Sequence, residues 1–188
     1  MTPSNLILAS RSPRRVELLK LIASQFETIP SQFDESTITI TNPNELVKAL
    51  GYYKAKTVFD EHPQATVIGC DTIVSLDGEV FGIPKDKQHA VDMLRKLSGK
   101  THLVSTGVCI LSKNQVDQFV VETKVTFYKL SEEEIEVYCN TKEPFDKAGA
   151  YGIQEKGSLF VESIEGDYFS VMGFPVAKVN QVLKQYKW

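Results

Sequence analysis

The sequence predicts an α/β fold, a mixed and twisted sheet flanked by helices. Three observations lead there. Apolar runs of strand length alternate with segments whose apolar residues recur at helical spacing. Several strand-like runs are joined by tight polar turns, at Asp77-Gly78 and Lys113-Asn114-Gln115, which suit antiparallel neighbours rather than a purely parallel sheet. The 188 residues are 42% apolar and 24% charged, enough for a substantial core under a soluble surface. No repeat, low-complexity tract or linker breaks the chain, so 1–188 reads as a single domain.

Each element follows from local chemistry. Leu6 to Ala9 is a buried strand. Val16 to Ile22 is helical through Leu18, Leu19 and Ile22, with Ser12 placed to cap it and Pro13 at a first position where a missing N–H costs nothing. Phe26 to Ile29 is a short strand ending at Pro30. Asn42-Pro43-Asn44-Glu45 opens a helix with a cap, a first-position proline and an acidic residue three positions after the cap. That helix is expected to turn Leu46, Ala49, Leu50, Tyr53 and Thr57 inward, with Gly51 weakening it slightly. Lys54 and Lys56 then point about 200° apart. Ala65 to Val74 is the most apolar strand, and Glu79 to Gly82 returns from the Asp77-Gly78 turn. Asp86 starts a helix with an Ala90, Met93, Leu94 and Leu97 stripe, which Gly99 stops. Two long strands, Leu103–Leu111 and Gln118–Leu130, precede a Ser131/Glu134 capping box. Leu159–Ile164 and Tyr168–Met172 are expected to form a hairpin around Glu165-Gly166-Asp167, and Pro175 opens the last helix.

A net charge of −3 gives no support to bulk nucleic-acid binding, and no apolar run reaches the length of a membrane span. No secretion signal is read at the start of the chain. Cys70, Cys109 and Cys139 are widely spaced and odd in number, which suits small core fillers in a cytoplasmic protein rather than a zinc site or a disulfide framework.

The chemistry gathers first at Ser10-Arg11-Ser12-Pro13-Arg14-Arg15, where a strand meets a helix. A helix N-terminus offers free N–H groups and partial positive charge, and arginine forks match phosphate oxygens two at a time. The stretch reads as an anion cradle; three arginines also suit a solvated basic cap. Asp71 adjoins an apolar run, where an unpaired charge is costly, so it needs a cation, a metal or dense hydrogen bonds. It fits a general base or metal ligand, and equally a strand-end aspartate bonded to backbone. Glu35 is a second oxygen ligand for magnesium, or an ordinary loop residue. Lys54 and Lys85 can reach a phosphate, or can be plain surface lysines. Gln154 closes the stretch 143–154, rich in glycine and small residues, with an amide that can both donate and accept at a base edge, or serve the turn. His62, His89 and His102 have no metal spacing. The GxxxxGK[ST], GxGxxG and GxSxG patterns are absent, so phosphate is handled by another device.

Four segments resemble the Maf family in order and spacing: Ser10-Arg11-Ser12-Pro13-Arg14-Arg15, Gly69-Cys70-Asp71-Thr72, Leu97-Ser98-Gly99-Lys100-Thr101-His102, and Asp146-Lys147-Ala148-Gly149-Ala150-Tyr151-Gly152-Ile153-Gln154. The likeness runs from Leu6 to the final helix. It implies a nucleoside triphosphate pyrophosphatase, a hydrolase of phosphoric anhydrides from a family once linked to septum formation. Such an enzyme cleaves between the α and β phosphates with a divalent metal, Mg2+ or Mn2+. The implied fold is the elongated, two-lobed one of the inosine triphosphatase-like superfamily, with the site in a cleft, commonly as a homodimer. Asp71 falls on the catalytic position that accepts a proton from water, and Glu35 on a second acidic, metal-binding position. Ser10, Arg14, Arg15 and Lys54 match triphosphate-binding positions. Arg14, Thr72 and Gln154 match the trio that marks the dTTP/UTP branch against the 7-methyl-GTP branch.

This chain departs from the family pattern twice. Ile83 stands where the family usually carries a lysine, which predicts weaker substrate binding or turnover unless Lys85 substitutes. Cys70 replaces the usual alanine before Asp71 and, if exposed, would make the site sensitive to oxidants. The competing readings are a 7-methyl-GTP pyrophosphatase and a nucleotide-binding regulator of division with little catalysis.

Overall fold

The computed structural model describes residues 5–188; the start of the chain, on which the reading of a secretion signal partly falls, lies outside them. The strands are Leu6–Leu8 (β1), Glu27–Thr28 (β2), Thr66–Leu76 (β3), Glu79–Phe81 (β4), Thr101–Leu111 (β5), Val116–Phe127 (β6) and Val161–Glu165 (β7). The helices are Pro13–Lys20 (α1), Pro43–Glu61 (α2), Lys87–Leu97 (α3), Glu132–Cys139 (α4), Tyr168–Val171 (α5) and Val176–Leu183 (α6). The seven strands form one sheet in the order β2-β1-β3-β5-β6-β7, with β4 also paired to β3. β1 is parallel to both β2 and β3, while β4 and β7 run antiparallel to β3 and β6. The sheet is therefore mixed, as expected.

The chain divides into two compact units. The first takes in the described chain up to Asp71, Thr106–Val121 and Gly173–Trp188; the second takes in Thr72–Ser105 and Glu122–Met172.

In the first unit, Ile7, Ala9, Ala55, Val58, Val67 and Cys109 belong to one buried cluster. α2 begins as its sequence requires: the Asn42 side chain accepts from the Glu45 N–H, and Pro43 holds the first turn. Its inward face is rotated from the expected one. Val47, Leu50, Gly51, Ala55 and Val58 are buried, whereas Tyr53 is exposed and Leu46, Ala49 and Thr57 are only half-buried. The cause is a seam of three glycines. A Cβ on Gly69 would lie 2.4 Å from both Ala55 N and Gly51 O, one on Gly107 would lie 2.3 Å from Val47 O, and one on Gly51 would lie 2.9 Å from Gly107 O. The helix rests almost directly on the sheet backbone, where only glycine and alanine fit. Periodicity alone does not reveal that constraint, because glycine carries no hydrophobic signal.

The second unit is organised around Phe81, Leu94, Leu97, Phe127, Ile135, Tyr138 and Tyr151. Asp77 (φ 51°) and Gly78 (φ 84°) both adopt left-handed backbone in the β3–β4 turn, as a twisted hairpin demands. The Asp86 carboxylate caps α3, and the Ser131/Glu134 capping box opens α4. The expected hairpin after Leu159 is not formed. β7 pairs instead with β6, Ile164 opposite Val125, and Tyr168–Val171 is a helical turn. The Asp167 carboxylate accepts from the Phe169 and Ser170 N–H groups, so a local cap overrides the strand preference of Tyr168, Phe169 and Val171.

Candidate functional site

Parallel pairing sets the carboxyl end of β1 beside the middle of β3. Leu8 stands opposite Ile68, and Ala9 N donates to Ile68 O at 2.8 Å. Ser10 and the Cys70-Asp71 pair therefore emerge side by side. β1 ends here, and the carboxyl end of a parallel strand is where α/β sheets place ligands.

Arg15, in the first turn of α1, ties this edge together. Its Nη1 donates to Cys70 O at 2.8 Å and to Ser10 Oγ at 3.3 Å, and its Nε donates to Gly173 O at 2.9 Å. The buried Ser10 hydroxyl also accepts from Ser12 N at 3.1 Å. Ser12 occupies the cap position but makes no side-chain cap bond, contrary to expectation. Ser10 instead orders the turn that leads into the helix. Arg14 is half-buried on α1, and Arg11 is exposed. The arginine-rich joint is thus a built structure as well as a positive one.

Three predicted residues converge beside it. Lys54 Nζ lies 2.5 Å from Asp71 Oδ1 and 2.7 Å from Glu35 Oε1. The Lys54 and Asp71 side chains are 16% and 14% exposed, and Glu35 is 53% exposed. Burial by itself lowers the Lys54 pKa, but Asp71 and then Glu35 outweigh it and hold the ammonium above its ordinary range. The glycine seam accounts for this meeting, because it sets α2 one backbone thickness above β3 and so brings Lys54 against the middle of that strand.

Glu35 reaches Lys54 from a 3-10 turn, Glu35–Thr37, which the Asp34 side chain caps through the Ser36 N–H. Two residues earlier, Phe33 stacks on Tyr53 with centroids 4.9 Å apart and planes 11° apart. Tyr53, expected in the core, instead anchors this loop from the outer face of α2.

Glu35 and Asp71 face one cationic point, which suits a hard divalent ion drawing one or two carboxylates from protein and its remaining oxygens from water and phosphate. Among the described residues no group of three or more His, Cys, Asp or Glu could hold a metal ion. The donor set fits a cation shared with a phosphate-bearing ligand, and a self-sufficient metal cage is not built.

The Cys70 thiol is fully buried, with Sγ 3.8 Å from Gly173 O, and desolvation raises its pKa despite the neighbouring Arg15 and Lys54. The condition for oxidant sensitivity, exposure, is not met. Cys109 and Cys139 are buried and unpaired, as core fillers should be.

The second unit carries the other predicted residues. Thr72 is half-buried on β3, directly after Asp71. Ile83 is 57% exposed. Lys85 is exposed, its N–H donating to His89 Nδ1, and its ammonium makes no ion pair among the described residues. Gln154 is exposed in a turn after the left-handed Gly149 (φ 70°), whose N–H donates to Gly82 O and whose missing Cβ leaves room for Val74.

Sequence reasoning missed Phe33, Tyr53 and the three seam glycines. The aromatic pair left one signal, its placement two residues before Glu35 and one before Lys54. The seam left only the glycines themselves, one in a helix and two in strands, which mark close backbone approach.

The sequence profile of a family described as Maf-like protein matches residues 5–186. A Bacillus cytotoxicus protein named dTTP/UTP pyrophosphatase is 50% identical over 180 residues, which is 96% of this chain and 94% of that protein. A Bacillus velezensis protein of the same name is 49% identical over 181 residues, 96% of each chain. Among solved structures, the Staphylococcus aureus Ham1 protein matches with a TM-score of 0.56 over 97% of this chain and 99% of its own. At 12% identity that likeness concerns the fold alone.

Proposed function

The chain belongs to the Maf family, and from that premise we propose that it hydrolyses dTTP and UTP between the α and β phosphates, releasing a nucleoside monophosphate and pyrophosphate. The reading is carried by one observation, the meeting of Glu35, Lys54 and Asp71 beside the Ser10–Arg15 joint. It is supported by relatives about half identical over nearly the whole chain that are named for this activity.

In this reading Ser10, Arg14, Arg15 and the open start of α1 receive the triphosphate, and Lys54 moves part of its charge from the carboxylates to a phosphate oxygen. Asp71 orients the attacking water and accepts its proton. The α–β anhydride bond breaks and pyrophosphate departs with the electron pair. Glu35 and Asp71 would hold a divalent cation, Mg2+ or Mn2+, which when bound supplies charge neutralisation at the phosphates. Lys85 adds a phosphate contact in place of the residue that Ile83 displaces. Arg14, Thr72 and Gln154 select the pyrimidine. The 1–188 domain works in the cytoplasm as a homodimer, without nucleic acid. No helix among the described residues is long and apolar enough to cross a membrane.

Pyrophosphate release from dTTP, UTP, CTP, GTP and 7-methyl-GTP, with each metal, tests the proposal. Asp71→Asn is the control, because the amide keeps the shape and Lys54 keeps Glu35. Release from dTTP and UTP that falls by about 10²–10⁴-fold in the variant, with folding intact, is expected. Release from 7-methyl-GTP alone would overturn the specificity, and nucleotide binding without release would favour a regulator.

A further inference from the structure

The second unit buries a histidine that the proposed chemistry does not use. His102, on β5, is 1% exposed and its Nε2 lies 2.8 Å from the Tyr151 hydroxyl. Its ring stands edge-on to Phe127 at 4.8 Å and to Tyr151 at 5.5 Å, and Phe127 stands edge-on to Tyr151 at 4.7 Å. Among the described residues its buried Nδ1 has no hydrogen-bond partner. Burial pushes the imidazole down to about 4, so the ring is neutral near pH 7. Either neutral tautomer leaves a polar ring atom unpaired, a cost that phenylalanine in the same aromatic niche would not carry. As a core filler histidine is the poorer choice. What it adds is the hydrogen bond to Tyr151.

Tyr151 leads into a turn closed on itself. Gly152 N donates to Tyr138 Oη at 3.2 Å. A Cβ on Gly157 would lie 2.5 Å from Gly152 O and 2.9 Å from Tyr138 Oη, so the two ends of the 152–157 turn meet at that hydroxyl. The Lys147 side chain packs against Gly152, whose added Cβ would lie 2.5 Å from Lys147 Cε, and the Lys147 ammonium is held by Glu143 O at 2.9 Å. Gln154 stands exposed within this closed turn. The turn carries Gln154, and the base of the turn is continuous with Tyr151.

We propose that His102 is a positioning residue for base selection: by holding the Tyr151 hydroxyl it fixes the angle at which the turn presents Gln154 to a pyrimidine edge. The inference rests on the reading of Gln154 as a base-recognising residue of a dTTP/UTP pyrophosphatase. His102 itself touches no substrate and acts through Tyr151.

The test compares wild type with His102→Phe, Tyr151→Phe, the double variant and Gln154→Ala, using kcat and KM for dTTP, UTP, CTP and GTP alongside thermal melting. His102→Phe is expected to melt at or above wild type while KM for dTTP rises about tenfold, kcat stays within about twofold, and the preference for dTTP over CTP falls. Tyr151→Phe, which removes one hydroxyl and keeps the ring, is expected to show the same split, and the double variant to be no worse than either single one. Should His102→Phe fail to fold, Tyr151→Phe decides. A loss of melting temperature and kcat together, with KM and base preference unchanged, would mean a structural role and overturn the inference. Wild-type kinetics in both His102→Phe and Tyr151→Phe, with Gln154→Ala impaired, would overturn it while sparing the role of Gln154. A silent Gln154→Ala would remove both, and pyrophosphate release by the wild type would still support the enzyme reading.

Discussion

Two regions of this protein hold candidate functional side chains in place by different means. In the first unit, Glu35, Lys54 and Asp71 are held by charge, partly open to solvent, next to an arginine bonded to two backbone carbonyls. In the second, the segment bearing Gln154 is held mainly by close packing: a histidine–tyrosine hydrogen bond, edge-on rings and a pair of glycines in close approach, with the Lys147 ammonium on Glu143 O and Asp146 beside them. Charge networks can redistribute when a polyanion arrives, since lysine can trade one partner for another. Close-packed segments cannot, and so they keep an angle. The difference matches the two tasks proposed, neutralising a triphosphate and reading the edge of a base.

The comparison can be broken most forcefully at Lys54. In Lys54→Met, Asp71 loses its counter-charge at a largely buried position, and we expect a loss of about 3 kcal/mol in stability together with a collapse in turnover, read by denaturant melts and pyrophosphate release. Unaltered stability would show that the network is not held by charge. A smaller effect sharpens the contrast through pH. The pKa of His102 in the folded protein is about 4 against an ordinary 6.5. The unfolded chain therefore binds the extra proton first, and stability falls as pH drops from about 6.5 to about 4, by about 2 kcal/mol. His102→Phe should flatten that part of the stability–pH curve. The smallest effect is expected at Tyr53. Tyr53→Ala removes the ring under Phe33, costing about 1 kcal/mol, and loosens the loop that carries Glu35. Equilibrium Mn2+ binding with nucleotide present, followed by electron paramagnetic resonance, should weaken in Tyr53→Ala and stay unchanged in Tyr53→Phe.

What could be read from the sequence was what is decided locally. Asn42, Asp86 and Ser131 cap their helices through partners three residues away, and each was legible. Tyr168–Met172 was misread because strand propensity and an aspartate cap compete over the same few residues. Asp71 announced itself as a charge in an apolar setting that needed a cation, a metal or dense hydrogen bonds. That the cation is Lys54 was not legible from spacing, because their meeting depends on how closely α2 lies on β3. His102 and Tyr151 are 49 residues apart, and neither carries a local sign of the other. Family resemblance named the candidate site residues, and the structure adds what holds them.

The glycine seam under α2 has a consequence for anyone reshaping this protein. The helix has no clearance above the sheet, so Gly51, Gly69 and Gly107 offer no room to trade. A bulkier residue at any of them would lift the helix and draw Lys54 off Asp71 before it altered the site in any useful way. The floor is fixed tooling. Variation has to enter from the other side of Lys54, through the loop of Phe33 and Glu35, whose outward-facing residues can change without moving the sheet.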